Sequence, residues 1–328
     1  MSMSYGYRMY TFEIFKERAW KQQHPLHVEH EDKPDWRYID YLNRISASHV
    51  EQSAHGFPPR MDGTSRDQDI DNVPVFQLLS LSQNGDAIRG SFRHGRPSGH
   101  SIALPKKSLG PDAKPIDISD YSPTREYRFA FQFPDPGNTG LLSVEAVSGA
   151  CPSRYLVQWA RWWSQSYAEG RDEPWYNLKA FALGDAIQVQ QFIERGQVIE
   201  VVLIAGAKKA SRMRRTEEFR ITSTLDVQGK SKALRDLKKV VAANKTDEDL
   251  AEELAKVLGR NVEEIDLDDG YVVLDTEYGR HHVSPSRIPD VFTYPIASER
   301  PDDDEFYREV KQRARKMSTE VDGSFNFS

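Results

Sequence analysis

Apolar residues recur at every second position in some stretches of this chain and at every third or fourth in others, which predicts strands and helices respectively. Tyr127 to Phe133 places aromatic residues at alternate positions, a strand pattern. Asp135-Pro136-Gly137-Asn138 then turns the chain, and Gly140 to Val147 supplies a partner strand. Tyr7 to Phe15 also alternates, with Tyr10, Phe12 and Ile14 on one side. Val75 to Leu81 and Ala87 to Arg96 flank Gln83-Asn84-Gly85-Asp86 and read as a hairpin.

Helical spacing appears at Asp35 to Ile45 and again from Arg154 to about Glu169. The second helix is introduced by Cys151-Pro152-Ser153 and closed by Gly170, with Leu156, Trp159, Trp163 and Tyr167 on its apolar face and Trp162 to one side. Trp residues at that spacing are read as core, not as a base-stacking surface. Lys232 to Ala243 predicts a helix with Leu234, Leu237 and Val241 inward and Lys238 and Lys239 outward. Thr246 with Asp249 forms a capping-box pattern before a further helix, Asp247 to Leu258, ended by Gly259. The two helices make a helical hairpin. Near the C-terminus, Glu305 to Met317 is a highly charged helix, and the tail after it is read as frayed, with Phe325 and Phe327 as candidate docking residues.

Between these lie Leu178 to Leu183, a strand; a Gly184-Asp185 turn; Ala186 to Arg195, a short helix stopped by Gly196; and Val198 to Ile204, the most β-prone run in the chain. Strand, helix, strand in that order predicts a compact crossover unit. Glu218 to Val227 is a further candidate strand. His49 to Val73 and Lys106 to Pro123 are polar and rich in turn-forming residues, and read as long connectors. The fold class predicted is α+β: a β-rich N-terminal half, then a mixed α/β half with a strand-helix-strand unit and a helical hairpin. The expected divisions are residues 1–150, β-rich with long loops; 151–260, mixed and carrying a basic patch; and 261–328, a β-hairpin and charged tail.

Composition narrows the class. A single cysteine, Cys151, excludes an internal disulfide framework and suggests a reducing compartment. The opening Met1-Ser2-Met3-Ser4-Tyr5 lacks a secretory signal pattern, and no apolar run approaches the ~20 residues of a membrane span. A cytoplasmic protein with no membrane partner is expected. The net charge of −6 conceals an asymmetry. From Ala205 to Lys245, twelve Lys and Arg residues meet only four acids, so this stretch is strongly positive within an acidic chain. Lys208, Lys209, Arg212, Arg214 and Arg215, then Lys230, Lys232, Arg235, Lys238 and Lys239, are the candidate nucleic-acid-binding residues. The second helix of the hairpin carries Asp247, Glu248, Asp249, Glu252 and Glu253, a poor face for a major groove, so the first would make the contacts. Arg89, Arg93, His94 and Arg96 form a smaller basic group beside Gly90, Gly95 and Gly99, without the spacing of a phosphate loop.

Catalytic and metal patterns are weaker. His24, His27 and His30 recur at spacing three, but Pro25 interrupts a helix there and a solvated loop is expected. Tyr271 to Gly279 resembles the first motif of the exonucleases that hold two metal ions with four acids, with Asp275 and Glu277 matching its Asp-x-Glu. Only the residues up to Ser328 follow, too few for the remaining acids of that family, so a β-hairpin turning near Gly279 is the expectation. His281 and His282 would point to opposite faces of its second strand. There is no phosphate-binding loop, dinucleotide fingerprint, Gly-x-Ser-x-Gly or zinc spacing, and no cofactor is expected.

In layout, Phe181 to Ile204, with its helix ending in Glu-Arg-Gly, its strong second strand and the basic stretch that follows, resembles bacterial phage-exclusion accessory proteins of the Kiwa and lambda Rex kind. That resemblance implies a β-rich half preceding a mixed half that engages DNA, in a defence complex; it carries no site residue across. Three functions are consistent with the sequence. The first is a non-catalytic protein that binds DNA or RNA through its basic patch. The second is a metal-dependent nuclease or hydrolase centred on Asp275, Glu277 and His281 or His282. The third is an interaction subunit meeting an acidic protein partner or a second copy of itself.

Overall fold

A computed structural model describes residues 4–17, 19, 22–31, 34–55, 57–58, 74–95, 102–103, 116–118, 121–171, 173–184, 186–206, 218–243, 245–259, 267, 269–276, 279–321 and 324–326. The fold is α+β with a β-rich N-terminal half. The first half runs β1 (Tyr5–Lys16), β2 (Gln23–His24), β3 (His27–Val28), β4 (Trp36–Arg37), α1 (Tyr38–Ala47), β5 (Ser53–His55), β6 (Val75–Asn84), β7 (Ala87–Gly95), β8 (Ile102–Ala103), β9 (Ile116–Asp117), β10 (Thr124–Gln132) and β11 (Gly140–Val147). The second runs α2 (Ser153–Ala168), β12 (Tyr176–Leu183), α3 (Ala186–Arg195), β13 (Gln197–Gly206), β14 (Glu218–Ser223), α4 (Val227–Ala242), α5 (Asp247–Val257), β15 (Asp269–Thr276), β16 (Gly279–Val283), α6 (Ile288–Val291), β17 (Tyr294–Ala297) and α7 (Asp303–Met317). No helix among the described residues is long and apolar enough to cross a membrane.

Two compact units form, each from several segments. One takes Met9–Glu145, Cys151–Phe181 and Asp302–Ser328; the other takes Met1–Arg8, Ala146–Ala150 and Ala182–Pro301.

The first unit is built on a sheet in the order β12-β1-β11-β10-β7-β6-β5. The predicted hairpin is present as β6 and β7, turning at Gly85, whose φ of 58° suits glycine. Phe129 and Phe131 lie on one face with Phe92, which is opposite Tyr127 in the register and 6.0 Å from the Phe129 ring. Phe76 stacks on Phe92 and on Trp159 of α2, so the aromatic strand face and the predicted Trp stripe form one core. The aromatic residues of β10 alternate with a second set on its other face. That set, Arg128, Ala130 and Gln132, is buried as well, with α7 packed on Arg128. Arg128 is held by Glu145 on β11, with Nη2 to Oε1 at 2.6 Å and Nε to Oε2 at 3.1 Å. Its Nη1 donates to the Asp302 carbonyl at 2.9 Å and to Asp303 at 3.1 Å, and the Phe306 ring lies 4.3 Å away. Tyr307 donates to the Gly90 carbonyl at 3.0 Å.

The histidine stretch is not a plain loop: His24 is in β2 and His27 in β3. Phe325 of the tail is half-buried and bridges to Pro134, where a frayed end was expected; Phe327 lies outside the described residues. The predicted cap of α2 is also altered, since Pro152 occupies the N-cap and makes no side-chain cap bond.

The second unit holds a four-stranded antiparallel sheet, β14-β13-β15-β16. Helices α4 and α5 cover one face. Gly270 permits their approach: a Cβ there would sit 2.7 Å from the Ala251 backbone of α5. β17 pairs with Tyr5, Gly6 and Tyr7 of β1. The strand-helix-strand order from residue 178 to 204 is present, but it is not a crossover. β12 belongs to the first sheet and β13 to the second, so α3 connects two sheets. Apolar runs specify strands; they carry no information on which sheet each strand joins.

Candidate nucleic-acid interface

The site grows from α4. Asp226 caps the helix, its side chain accepting from Gly229 N at 2.7 Å. This start lies five residues earlier than the apolar pattern suggested, because the first turn carries only polar residues and an exposed Val227. Ala233, Asp236, Leu237 and Val240 are buried. Leu234 and Val241, predicted inward, are half-buried. The opposite stripe, Lys232, Arg235 and Lys239, is exposed. These three cations fall at i, i+3 and i+7, one face of the helix, spread over about 10 Å.

The other two α4 cations are used differently. Lys230 is half-buried near the helix start. Lys238, also half-buried, forms an ion pair with Glu194 of α3. Gln190 of α3 donates to the Lys238 carbonyl at 3.3 Å. Between the helices lies a cleft of about 480 Å³ lined by Gln190, Glu194, Leu234, Arg235, Lys238 and Lys239, with Ser231 and Ala242 at its ends. Its single acid is paired with Lys238, so Arg235 and Lys239 are the cleft's other charges, and Lys239 also acts on Glu253 of α5, helping to lower its carboxyl.

The rest of the hairpin has the opposite sign. The expected capping box of α5 is formed: Asp249 N donates to Thr246 Oγ1 at 3.2 Å and Thr246 N donates to Asp249 at 2.9 Å. That backbone donation holds the Asp249 carboxyl below the usual range. Glu253 is lowered by the hydrogen bond from Lys256 at 2.7 Å. Asp247 accepts from Ser286 N at 2.9 Å. α4 offers Lys232, Arg235 and Lys239 to solvent while α5 exposes Glu248 and Glu252, so an anionic ligand is drawn to one helix and turned away from the other.

Lys208, Lys209, Arg212, Arg214 and Arg215 lie outside the described residues, as do Arg96 and Glu277. Of the other candidate acids and histidines, Asp275 is half-buried on β15. His281 is opposite Leu274 and His282 opposite Val273, on the two faces of the sheet as the strand period requires. His282 stacks on Tyr271 at 4.8 Å; His281 is buried and lies 6.0 Å from the Phe192 ring. Among the described residues no group of three or more His, Cys, Asp or Glu could hold a metal ion. In the first unit, His27 hydrogen-bonds Asp135 at 2.8 Å, with Asp35 at 3.6 Å on its other nitrogen.

Nothing in the sequence pointed to Gln190 and Glu194. They share a helical face at i and i+4, but only the packing of α3 on α4 turns that face into a cleft wall. Arg287 was also not anticipated, and Arg220 was counted in the basic stretch but not among the candidate binding residues. Both approach Tyr271 on the sheet face away from α4 and α5, where Arg287 is also paired with Asp269. Comparison of the chain with protein-family models, with curated proteins and with solved structures found no match in any of the three.

Proposed function

We propose that this protein is a non-catalytic cytoplasmic nucleic-acid-binding protein that grips the phosphate backbone through α4. The observation that carries the reading is the exposed stripe of Lys232, Arg235 and Lys239, beside a cleft whose single carboxylate is already neutralised. Cations that meet phosphates release condensed counterions from the strand, so affinity is electrostatic and nearly independent of sequence. The acidic α5 restricts the approach to one side of the hairpin. The layout resemblance to phage-exclusion accessory proteins supports a role within a defence complex.

Fluorescence anisotropy of labelled duplex DNA and duplex RNA across a salt series tests this. The wild-type protein binds with steep salt dependence. Neutralising the stripe as Lys232→Gln, Arg235→Gln and Lys239→Gln lowers the slope of log K against log salt by about three, near 0.9 for each phosphate that the variant leaves unneutralised. Equal slopes for wild type and variant would remove α4 from the interface.

A further inference from the structure

The cleft between α3 and α4 has a shape that phosphate contact alone does not require. Its volume of about 480 Å³ falls within the ~300–1,000 Å³ of small-ligand sites, and its lining is amphipathic. Leu234 and Ala242 supply an apolar surface. Arg235 and Lys239 stand at the lip, where they also belong to the exposed stripe. Gln190 and Ser231 add amide and hydroxyl groups. A continuous duplex presents phosphates to α4 but keeps its bases stacked and paired, out of reach of a recess of this size. An unpaired nucleotide presents both parts together: a flat, weakly polar base and a phosphate one sugar away.

We propose that this cleft receives a single unpaired nucleotide of the bound strand, its base against Leu234 and its phosphate on Arg235 and Lys239. The proposal rests on the reading of α4 as the phosphate-binding element and specifies its ligand as single-stranded nucleic acid. The amphipathic lining, more than its charge, favours that occupant over an acidic peptide. A peptide carboxylate would reach the same cations, but it brings no planar group for the apolar surface. Gln190 and Ser231 both donate and accept, which suits the mixed edge of any base and imposes no strong sequence choice. Glu194 stays paired with Lys238 and does not compete for the phosphate.

The test compares a labelled oligothymidylate with a blunt duplex of the same length, using the full chain. The wild-type protein binds the oligothymidylate more tightly. Leu234→Trp fills the cleft without removing a charge; it weakens oligothymidylate binding by about tenfold and leaves duplex binding and the salt slope unchanged. Because Leu234 is half-buried, circular dichroism and the retained duplex affinity confirm that the variant is folded, and Gln190→Ala, from the opposite wall, provides a second perturbation. Photo-crosslinking of an oligonucleotide carrying 5-iododeoxyuridine labels the peptide that contains Leu234. Equal affinity for single strand and duplex, or no effect of Leu234→Trp on the single strand, overturns the cleft proposal while the phosphate reading of α4 stands. Loss of binding to both ligands in the wild type overturns both.

Discussion

Arg128 and Arg235 are the same residue type in opposite circumstances. Arg128 lies on a central strand of the first unit with 3% of its side chain exposed, and both carboxylate oxygens of Glu145 answer it. Arg235 stands on a helix of the second unit, exposed, at the lip of an open cleft. A buried guanidinium stays charged but has lost its hydration, and Glu145 and Asp303 offset that loss in place of water. An exposed one retains its water and can exchange it for a phosphate. Positive charge here serves two ends, separated by burial and not by residue type: in the first unit it fixes α7 to a sheet, and in the second it remains available.

The largest effect comes from breaking the buried pair. Arg128→Met strands the Glu145 carboxylate and should cost about 3–5 kcal/mol in urea unfolding, whereas Arg128→Met with Glu145→Leu restores most of that loss. Asp303→Asn should change stability by less than about 1 kcal/mol, because the Asp303 side chain is 80% exposed. An equally small cost for Arg128→Met would erase the distinction between the two arginines.

Two histidines sharpen it through pH. His281 is buried beside Phe192, and burial, assisted by the Arg8 and His282 charges, pushes its pKa down to about 4, with Asp275 acting weakly the other way. The folded state therefore disfavours the proton. Its contribution is present above the unfolded value near 6.5 and is lost as pH falls from there toward 4, by about 3 kcal/mol in full. His27 has the opposite sign. The hydrogen bond to Asp135 raises its pKa, with further help from Asp35. Its stabilisation is present below pH 6.5 and disappears as pH rises through the folded pKa. Denaturation curves from pH 4 to 8 should flatten at the acid end in His281→Leu and at the neutral end in His27→Gln.

Smaller still, neutralising Lys232, Arg235 and Lys239 should leave the unfolding free energy within about 0.5 kcal/mol of wild type, since surface charges contribute little to stability. The same change should abolish most binding. Last, Tyr38→Phe removes a fully buried hydroxyl that lacks a hydrogen-bond partner among the described residues. It should leave stability unchanged or raise it by up to about 1 kcal/mol, read as a shift in thermal midpoint.

These contrasts also mark how far the sequence could be read. The strand and helix periods located β10, β11, α2, α4 and α5, and the Thr246–Asp249 box was visible as four letters, because those features depend on neighbours close in the chain. The cover on Arg128 was not visible. An alternating strand with a charged residue on its second face looks solvated, and the helix that buries it lies far along the sequence. For the same reason β12 and β13 read as one unit although they join different sheets. At the candidate site, the cations of α4 were legible as composition. Their division into an exposed stripe and a Lys238 already committed to Glu194 was not, since it depends on α3 lying alongside.

The dispersal of the first unit along the chain has a consequence for its synthesis. Glu145 meets Arg128 early, but α7, which covers the pair, follows more than 150 residues later. At ribosomal speeds of about 5–20 residues per second, that interval lasts roughly 10–30 s. Throughout it, one side of a largely completed sheet stands open to water and to neighbouring nascent chains. Arg128 and Glu145 are then hydrated ions on that surface, and their charge guards it against sticking until α7 arrives and converts the same two residues into its anchor.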